Sequence, residues 1–190
     1  MKGVIKKISS DPLGLIGLCL VTLMVISALG APIFAPYDPI QLNIMERLQG
    51  PSVNHLLGTD QLGRDLFSRV LFGGQVALKV AFLTIGLALI VGIVLGLIAG
   101  YGPAWLDNSI MLLFDTIRSV PTIMLALAAV TVVGPSITTV IFVVAVSSIP
   151  NYGRIVRTQT LTLKSKDFVK AEKLMGASLL RILSIHLLPN

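Results

Sequence analysis

The sequence predicts an all-α fold that crosses a membrane several times, and three observations carry that prediction. Of the 190 residues, 54% are hydrophobic and only 13% are charged, where roughly a quarter of a soluble domain is charged. The mean hydropathy is +0.89. The charged residues that do occur are clustered, which leaves charge-free runs between Asp11 and Asp38, from Val80 to Leu106 and from Ser119 to Gly153.

The first run, Leu13 to Ile33, is long enough at about 1.5 Å per residue to cross a hydrocarbon core of roughly 30 Å. Lys2, Lys6 and Lys7 precede it, and Ser27-Ala28-Leu29-Gly30-Ala31 supplies small residues of the kind found at a signal-peptide cleavage site. The run exceeds the roughly 7–15 residues of a signal h-region, so it is read as an uncleaved helix with its lysines in the cytoplasm. Residues 35–75 then change character, with Pro36, Pro39 and Pro51 followed by the mixed-charge stretch HLLGTDQLGRDLFSRVLFGG. This is an extramembrane segment in which Gly58 and Gly63 suit tight turns and Asp65 is placed to cap a short helix through Phe72.

A second crossing follows from about Val76 to Ile98, with Lys79 near its outer end, where the long side chain reaches the headgroups. Gly92, Gly96 and Gly100 recur every four residues on one face, a spacing that lets another helix pack closely. The third run would span roughly 50 Å at helical rise, too long for one crossing. Gly134-Pro135-Ser136 is the natural break. It gives crossing three from about Ile110 to Val133 and crossing four from about Ile137 to Tyr152, with Pro121 and Pro150 expected to kink or end these helices. Four transmembrane helices return the chain to the side of Met1. The segment that follows carries Arg154, Arg157, Lys164, Lys166, Lys170, Lys173 and Arg181 against Asp167 and Glu172, a positive-inside signal.

Several function classes drop out. The net charge of +6 comes from basic residues that flank apolar runs and do not alternate with exposed aromatics, which argues against nucleic acid. Cys19 is the one cysteine and offers no intrachain disulfide. No nucleophile has a neighbouring base, there is no HExxH and no Walker A loop, and His55 and His186 fall on opposite sides of the proposed membrane. No catalytic residue, metal-ligand set or bound cofactor is therefore assigned to this chain. Asp115 and Arg118, three apart on one helix face, are expected to pair with each other near the start of crossing three; a substrate relay is the sharper alternative.

Phe168, Val169, Leu174, Met175, Leu179 and Ile182 form an apolar stripe, and Lys166, Lys170, Lys173 and Arg181 a basic face. Gly176 interrupts the pattern, which reads as two short helices meeting at Gly176-Ala177-Ser178. Such a segment is either an interfacial helix held by anionic headgroups or a docking helix for a groove on a cytoplasmic partner.

At this point the chain resembles a known family. Asp167-Phe168-Val169-Lys170-Ala171-Glu172-Lys173-Leu174-Met175-Gly176-Ala177-Ser178, followed by Arg181-Ile182 and His186-Leu187-Leu188-Pro189-Asn190, resembles the EAA loop of permease subunits of binding-protein-dependent ABC importers. Leu57-Gly58-Thr59-Asp60-Gln61-Leu62-Gly63-Arg64-Asp65-Leu66-Phe67-Ser68-Arg69 is similar to the LGTDxxGRDxxSR segment of the C-type permeases of dipeptide, oligopeptide and nickel importers, and is the most specific part of the match. Pro150-Asn151-Tyr152-Gly153-Arg154-Ile155-Val156-Arg157 also resembles that family's approach to the loop.

The resemblance covers nearly the whole chain. It implies an N-terminal region, residues 1–75, with the first crossing and the extracytoplasmic motif Gly58, Thr59, Asp60, Gly63, Arg64 and Asp65. Residues 76–190 would be part of a MetI-like transmembrane domain ending after the EAA loop. Phe168, Lys170, Ala171, Glu172, Leu174, Gly176 and Ala177 would form a cytoplasmic coupling helix and its turn. The implied partners are a B-type permease in a heterodimer, two cytoplasmic ATPase subunits that bind ATP and Mg, an extracytoplasmic substrate-binding protein and the lipid of a bacterial or archaeal cytoplasmic (inner) membrane. Peptides are the implied cargo, with nickel or another small solute as the alternative. Where the family has Glu-Ala-Ala, this chain has Lys170-Ala171-Glu172. The family has six membrane helices, so the chain is expected to be a permease cut at the threshold of its fifth crossing; an inactive or regulatory membrane fragment is the other reading.

Overall fold

A computed structural model describes residues 11–178 and 181–188. Lys2, Lys6, Lys7, Leu179 and the Pro189-Asn190 pair, and the side chain of His186, lie outside the described residues. Among the described residues every regular element is helical: α1 (Pro12–Leu29), α2 (Ala31–Phe34), α3 (Leu66–Tyr101), α4 (Ala104–Ser119), α5 (Thr122–Val133), α6 (Ile137–Lys164) and α7 (Asp167–Leu174). A 3-10 turn covers Ile44–Glu46 and a π-helical segment Ile182–Leu187. The chain forms two compact units, Met1–Val80 and Ala81–Asn190.

In the first unit Asp11 caps α1, its Oδ1 accepting the Leu13 N–H at 3.3 Å, and Pro12 occupies the first helical turn, where an N–H would go unpaired anyway. The crossing expected to run unbroken to Ile33 turns at Gly30 and resumes as α2. Pro32 has no N–H to return to the Ala28 carbonyl, and the Gly30 N–H closes the last turn of α1 on the Ile26 carbonyl at 2.8 Å. A second correction concerns the short helix expected to end at Phe72: it is continuous with the next crossing as α3, 36 residues long. Gly73 and Gly74 cost the helix only about 1 kcal/mol each relative to alanine, less than breaking its cooperative ladder. Gly74 also faces α1; a Cβ there would lie 3.3 Å from that of Ala28.

In the second unit α3 packs along α6 through its glycines. A Cβ on Gly92 would stand 2.8 Å from the Tyr152 Cβ, one on Gly96 2.8 Å from the Val156 Cβ, and one on Gly100 2.6 Å from the Thr160 Cβ. Real Cβ atoms essentially never approach below 3.0 Å, so the three missing side chains are what allow this separation. Contacts advance together along both helices, so α3 and α6 run parallel. Beside the same seam, the fully buried Phe114 of α4 fills the space a side chain at Gly153 would need. Ala88, Ile110, Ala145 and Ile149 complete this core.

Crossing three is not the straight helix expected from Ile110 to Val133. α4 begins earlier, at Ala104, and meets α5 at an angle of 82°. Pro121 holds Val120 extended (φ −97°, ψ 124°) and thereby ends α4. α5 alone, at about 18 Å, is too short to span. The helix expected to stop at Tyr152 instead continues through Pro150 to Lys164, since one proline removes a single hydrogen bond and Pro150 is buried among neighbours. Among the described residues three helices, α1, α3 and α6, are long and apolar enough to cross a membrane, and α4 with α5 makes a fourth if the bent pair is one span. The parallel pairing favours that count: between two parallel neighbours, residues 102–136 must return through the thickness that α3 traverses.

This packing predicts a position-dependent response. Gly96→Val should destabilise the purified protein by about 1–3 kcal/mol, whereas Gly86→Val, where a Cβ meets nothing within 4 Å, should change it by less than about 0.5 kcal/mol. Thermal unfolding of both variants in one detergent provides the comparison, and equal losses would contradict the seam.

Candidate functional site

The mixed-charge segment of the first unit folds around its polar residues. Gly58 (φ +78°) and Gly63 (φ +72°) occupy the left-handed region, and side chains there would overlap the carbonyl oxygens of Gln49 and Asn43. Thr59 receives the Gln49 N–H on Oγ1 at 2.9 Å and donates that hydroxyl to the Glu46 carbonyl. Asp60 Oδ1 accepts the N–H groups of Leu62 (2.8 Å) and Arg64 (3.0 Å), and Oδ2 accepts Arg64 Nε at 2.8 Å and the Arg69 guanidinium. Asp65 is the N-cap of α3, its Oδ2 accepting the Ser68 N–H at 2.7 Å. Its Oδ1 lies 2.9 Å from His55 Nδ1, and His55 Nε2 lies 3.5 Å from Glu46 Oε2. Tyr37 closes the cluster, with its ring 4.9 Å from that of His55 and its N–H donating to Ser68 Oγ at 3.2 Å.

All six residues of the GTD–GRD motif therefore share one network, together with Glu46, His55, Ser68 and Arg69, which the sequence did not single out as site residues. The Asp65 hydrogen bond, helped by Glu46 and opposed by burial, raises His55 above its ordinary 6.5. Burial alone would push Asp60 up, but the backbone N–H groups of Arg64 and Leu62 and the Arg64 guanidinium outweigh it and hold the carboxyl at about 2. Asp65 is likewise held below the ordinary carboxylate range, because the Ser68 N–H and His55 outweigh its burial. Although histidine, aspartate and serine meet here, Asp65 stands between the other two and Ser68 Oγ serves as an acceptor for Tyr37. His55 is thus not positioned as a base for Ser68, and the arrangement is a structural clamp on the N-terminus of α3.

In the second unit three polar contacts tie α4 to α6. Arg157 grips Asp107 with two hydrogen bonds (2.5 and 2.6 Å), Arg154 bonds Asp115 at 2.5 Å, and Arg118 donates to Asn151 at 3.1 Å. The expected Asp115–Arg118 pair is thus replaced. Both residues turn toward α6, where Asn151 and Arg154, three apart, present a matching face.

α7 carries the basic, half-apolar stretch. Its C-terminus closes in a Schellman turn: the Ala177 N–H bonds the Glu172 carbonyl at 3.0 Å and the Gly176 N–H the Lys173 carbonyl at 3.1 Å, with Gly176 at φ +81°. The expected single apolar stripe divides. Val169 (2% exposed) and Ile182 are buried against Leu97, Tyr101 and Leu163, whereas Phe168, Leu174 (88%) and Met175 stand exposed. Lys170 and Ala171 are exposed too, Glu172 and Ala177 are half-buried, and Lys170 Nζ lies 3.3 Å from Asp167 Oδ1. Beyond the turn the second short helix is described from Arg181, where the Ile182 N–H bonds the Ser178 carbonyl at 3.1 Å, and is of π type over Ile182–Leu187. Lys164, the last residue of α6, donates to the Tyr101 carbonyl at 2.8 Å and lies 5.1 Å over its ring, so the ends of α3 and α6 are pinned beside α7.

Apolar helices of spanning length, parallel packing through glycines and a short helix anchored beneath two of the spans define a polytopic helical membrane protein. Residues 92–190 match the family model of the binding-protein-dependent transport system inner membrane component, and residues 1–51 match that of the N-terminal TM domain of oligopeptide transport permease C. The chain belongs to the binding-protein-dependent transport system inner membrane component family. It is similar to the dipeptide transport system permease protein DppC of Alkalihalophilus pseudofirmus, at 38% identity over 185 residues, covering 97% of this chain and 61% of that protein. The di/tripeptide transport system permease protein DppC of Pseudomonas aeruginosa is 38% identical over 180 residues, covering 92% and 59%. The glutathione transport system permease protein GsiD of Pectobacterium atrosepticum is 39% identical over 171 residues, covering 90% and 57%. The chain spans about three fifths of the length of the relatives it matches.

Two predictions follow the geometry. With a folded His55 value above 6.5, its stabilising contribution is complete below that pH and fades as pH rises through the folded midpoint. The excess proteolysis of residues 35–65 in His55→Gln over wild type should accordingly be largest below pH 6.5 and shrink in alkali, with imidazole NMR giving a midpoint above 6.5. The second concerns two left-handed glycines. Gly176→Ala meets open space and should cost only the backbone preference, about 1 kcal/mol, while Gly63→Ala, which collides with the Asn43 carbonyl, should cost clearly more in the same unfolding assay.

Proposed function

We propose that the chain is a C-type permease subunit of a peptide-importing ABC transporter, and that α7 with its glycine turn receives the stroke of cytoplasmic ATPases. The observation that carries this reading is the division of α7: Phe168, Leu174 and Met175 are free for a partner's groove, while Val169 is wedged against Leu97, Tyr101 and Leu163. A displacement of the exposed face would load the ends of α3 and α6 directly. Gly176 and Ala177 set the angle at which the chain leaves the helix, and Lys170, Ala171 and Glu172 would lie along the docking face. A basic residue at 170 and an acidic one at 172 reverse the charge pattern expected from Glu-Ala-Ala, so the partner surface would carry complementary changes.

ATP and Mg would be bound by the two ATPase subunits; this chain contributes the lever and part of the pathway, completed by a B-type permease in a heterodimer. Substrate would arrive from an extracytoplasmic binding protein. The orientation that supports this places Met1 and α7 in the cytoplasm of a bacterial or archaeal cell, with the basic residues from Arg154 to Arg181 inside and the GTD–GRD segment outside. Peptide cargo rests on the relatives, named for dipeptide, di/tripeptide and glutathione transport.

Leu174→Asp should leave membrane insertion intact, abolish copurification of the ATPases and reduce uptake of a labelled dipeptide to the level of a permease-null strain. Val169→Ala should instead lower thermal stability, by about 1–3 kcal/mol. Retained ATPase binding in Leu174→Asp would contradict the docking face, and uptake of nickel without uptake of dipeptide would replace the cargo.

A further inference from the structure

The extramembrane segment has inverted polarity. Its buried side chains are polar, namely His55, Thr59 and Asp65, with Ser68 just inside α3. Its charges are spent inward: Asp60 on Arg64 and Arg69, Asp65 on His55, and Glu46 beside His55. Of the charged residues between 35 and 65, Asp38 and Arg47 are the exposed ones. The outward surface is apolar, with Ile40, Leu42, Ile44, Met45 (92% exposed), Leu48 and Val53 (96%), interspersed with the uncharged polar side chains of Gln41, Asn43, Gln49 and Asn54. Leu48 adds a second observation. It holds φ at +55°, a conformation a branched side chain resists and that asparagine or glycine would accept readily. A strained leucine with its side chain outward marks a position where an apolar group outside the fold is needed.

We infer that residues 40–57 seat in the acyl–headgroup boundary of the leaflet where α3 begins, as a shallow non-helical membrane anchor. Three features select lipid as the occupant over a protein partner. The apolar surface is continuous in sequence with α1 and α2, whose exposed Leu29, Ile33 and Phe34 belong to a membrane-spanning region. The segment is also bound to the first turns of α3 by the Asp65 cap, the Arg69–Asp60 pair and the Tyr37–Ser68 bond, so it cannot leave the bilayer surface. Finally, residues 40–57 contain no tryptophan, tyrosine or phenylalanine and a single arginine, Arg47, so the anchors that dominate protein–protein hot spots are nearly lacking. Aliphatic groups with uncharged hydrogen-bonding neighbours suit the lipid boundary, where ester and headgroup oxygens accept hydrogen bonds. The inference rests on the membrane-spanning fold and is independent of cargo or ATPase coupling.

Nitroxides placed by Met45→Cys or Val53→Cys in a Cys19→Ala background test it, in the full-length protein in phosphatidylcholine–phosphatidylglycerol nanodiscs, alone and with its partner subunits. Lipid seating predicts collision rates with oxygen several-fold above those with a water-soluble nickel complex, in both states. A nickel rate equal to or above the oxygen rate would show a water-facing loop, and low rates for both would show a protein-covered one; either result overturns the inference. Photoactivatable phosphatidylcholine with the unsubstituted protein gives a second reading: adducts on residues 40–57 support lipid seating, and adducts on α1 with none on 40–57 oppose it.

Discussion

The close approach of α3 and α6 along Gly92, Gly96, Gly100 and Gly153 is the constraint from which the second unit follows. In a bilayer the lipid tails are as apolar as leucine, so two helices gain little by hiding apolar surface from water and associate through dispersion and backbone proximity. Side chains at these positions would force the axes apart, and Phe114 could no longer seat against Gly153. The parallel direction has a topological consequence, since the connection must come back through the same thickness. The connection is built in two pieces that meet at Pro121, α4 held to α6 by polar contacts and α5 packed against the start of α6.

The seam also positions α7. Tyr101 ends α3 and Lys164 ends α6, and the bond between them brings both termini beside Val169. α7 therefore has two faces with different work: an inner one of a single buried valine, supported by Ile182, and an outer one of large apolar side chains. The Schellman turn matters because it stops α7 sharply; a helix continuing through residues 176–178 would carry Ile182 away from this cluster. In the first unit the logic is opposite, with hydrogen bonds and ion pairs inside and aliphatic side chains outside, as suits a segment tethered at the edge of an apolar solvent.

Crossings one, two and four were legible in the sequence because bilayer thickness imposes a length that charge-free runs report directly. So was the capping role of Asp65, which local geometry determines. Legibility ended where a choice depended on a neighbour. Asp115 and Arg118 have the spacing of a pair, yet Arg154 and Asn151 offered better-placed partners from α6. Pro121 and Pro150 are the same residue type in similar surroundings, but one breaks a helix by 82° and the other is absorbed within one, a difference that composition cannot express. The alternation in α7 revealed an apolar stripe without saying which members the chain itself would bury. His55 had no periodic or motif signal at all, because its partners come from Glu46 and Asp65 on separate turns.

Register-specific crosslinking addresses the seam most directly. In a Cys19→Ala background, the cysteine pair 101 with 164, whose native residues touch across the two helix ends, should be joined by a short bifunctional thiol reagent in native membranes, and the pair 101 with 151 should not. The reverse pattern would make α3 and α6 antiparallel, remove the need for residues 102–136 to recross the membrane, and separate α7 from the two helix ends beside which it packs.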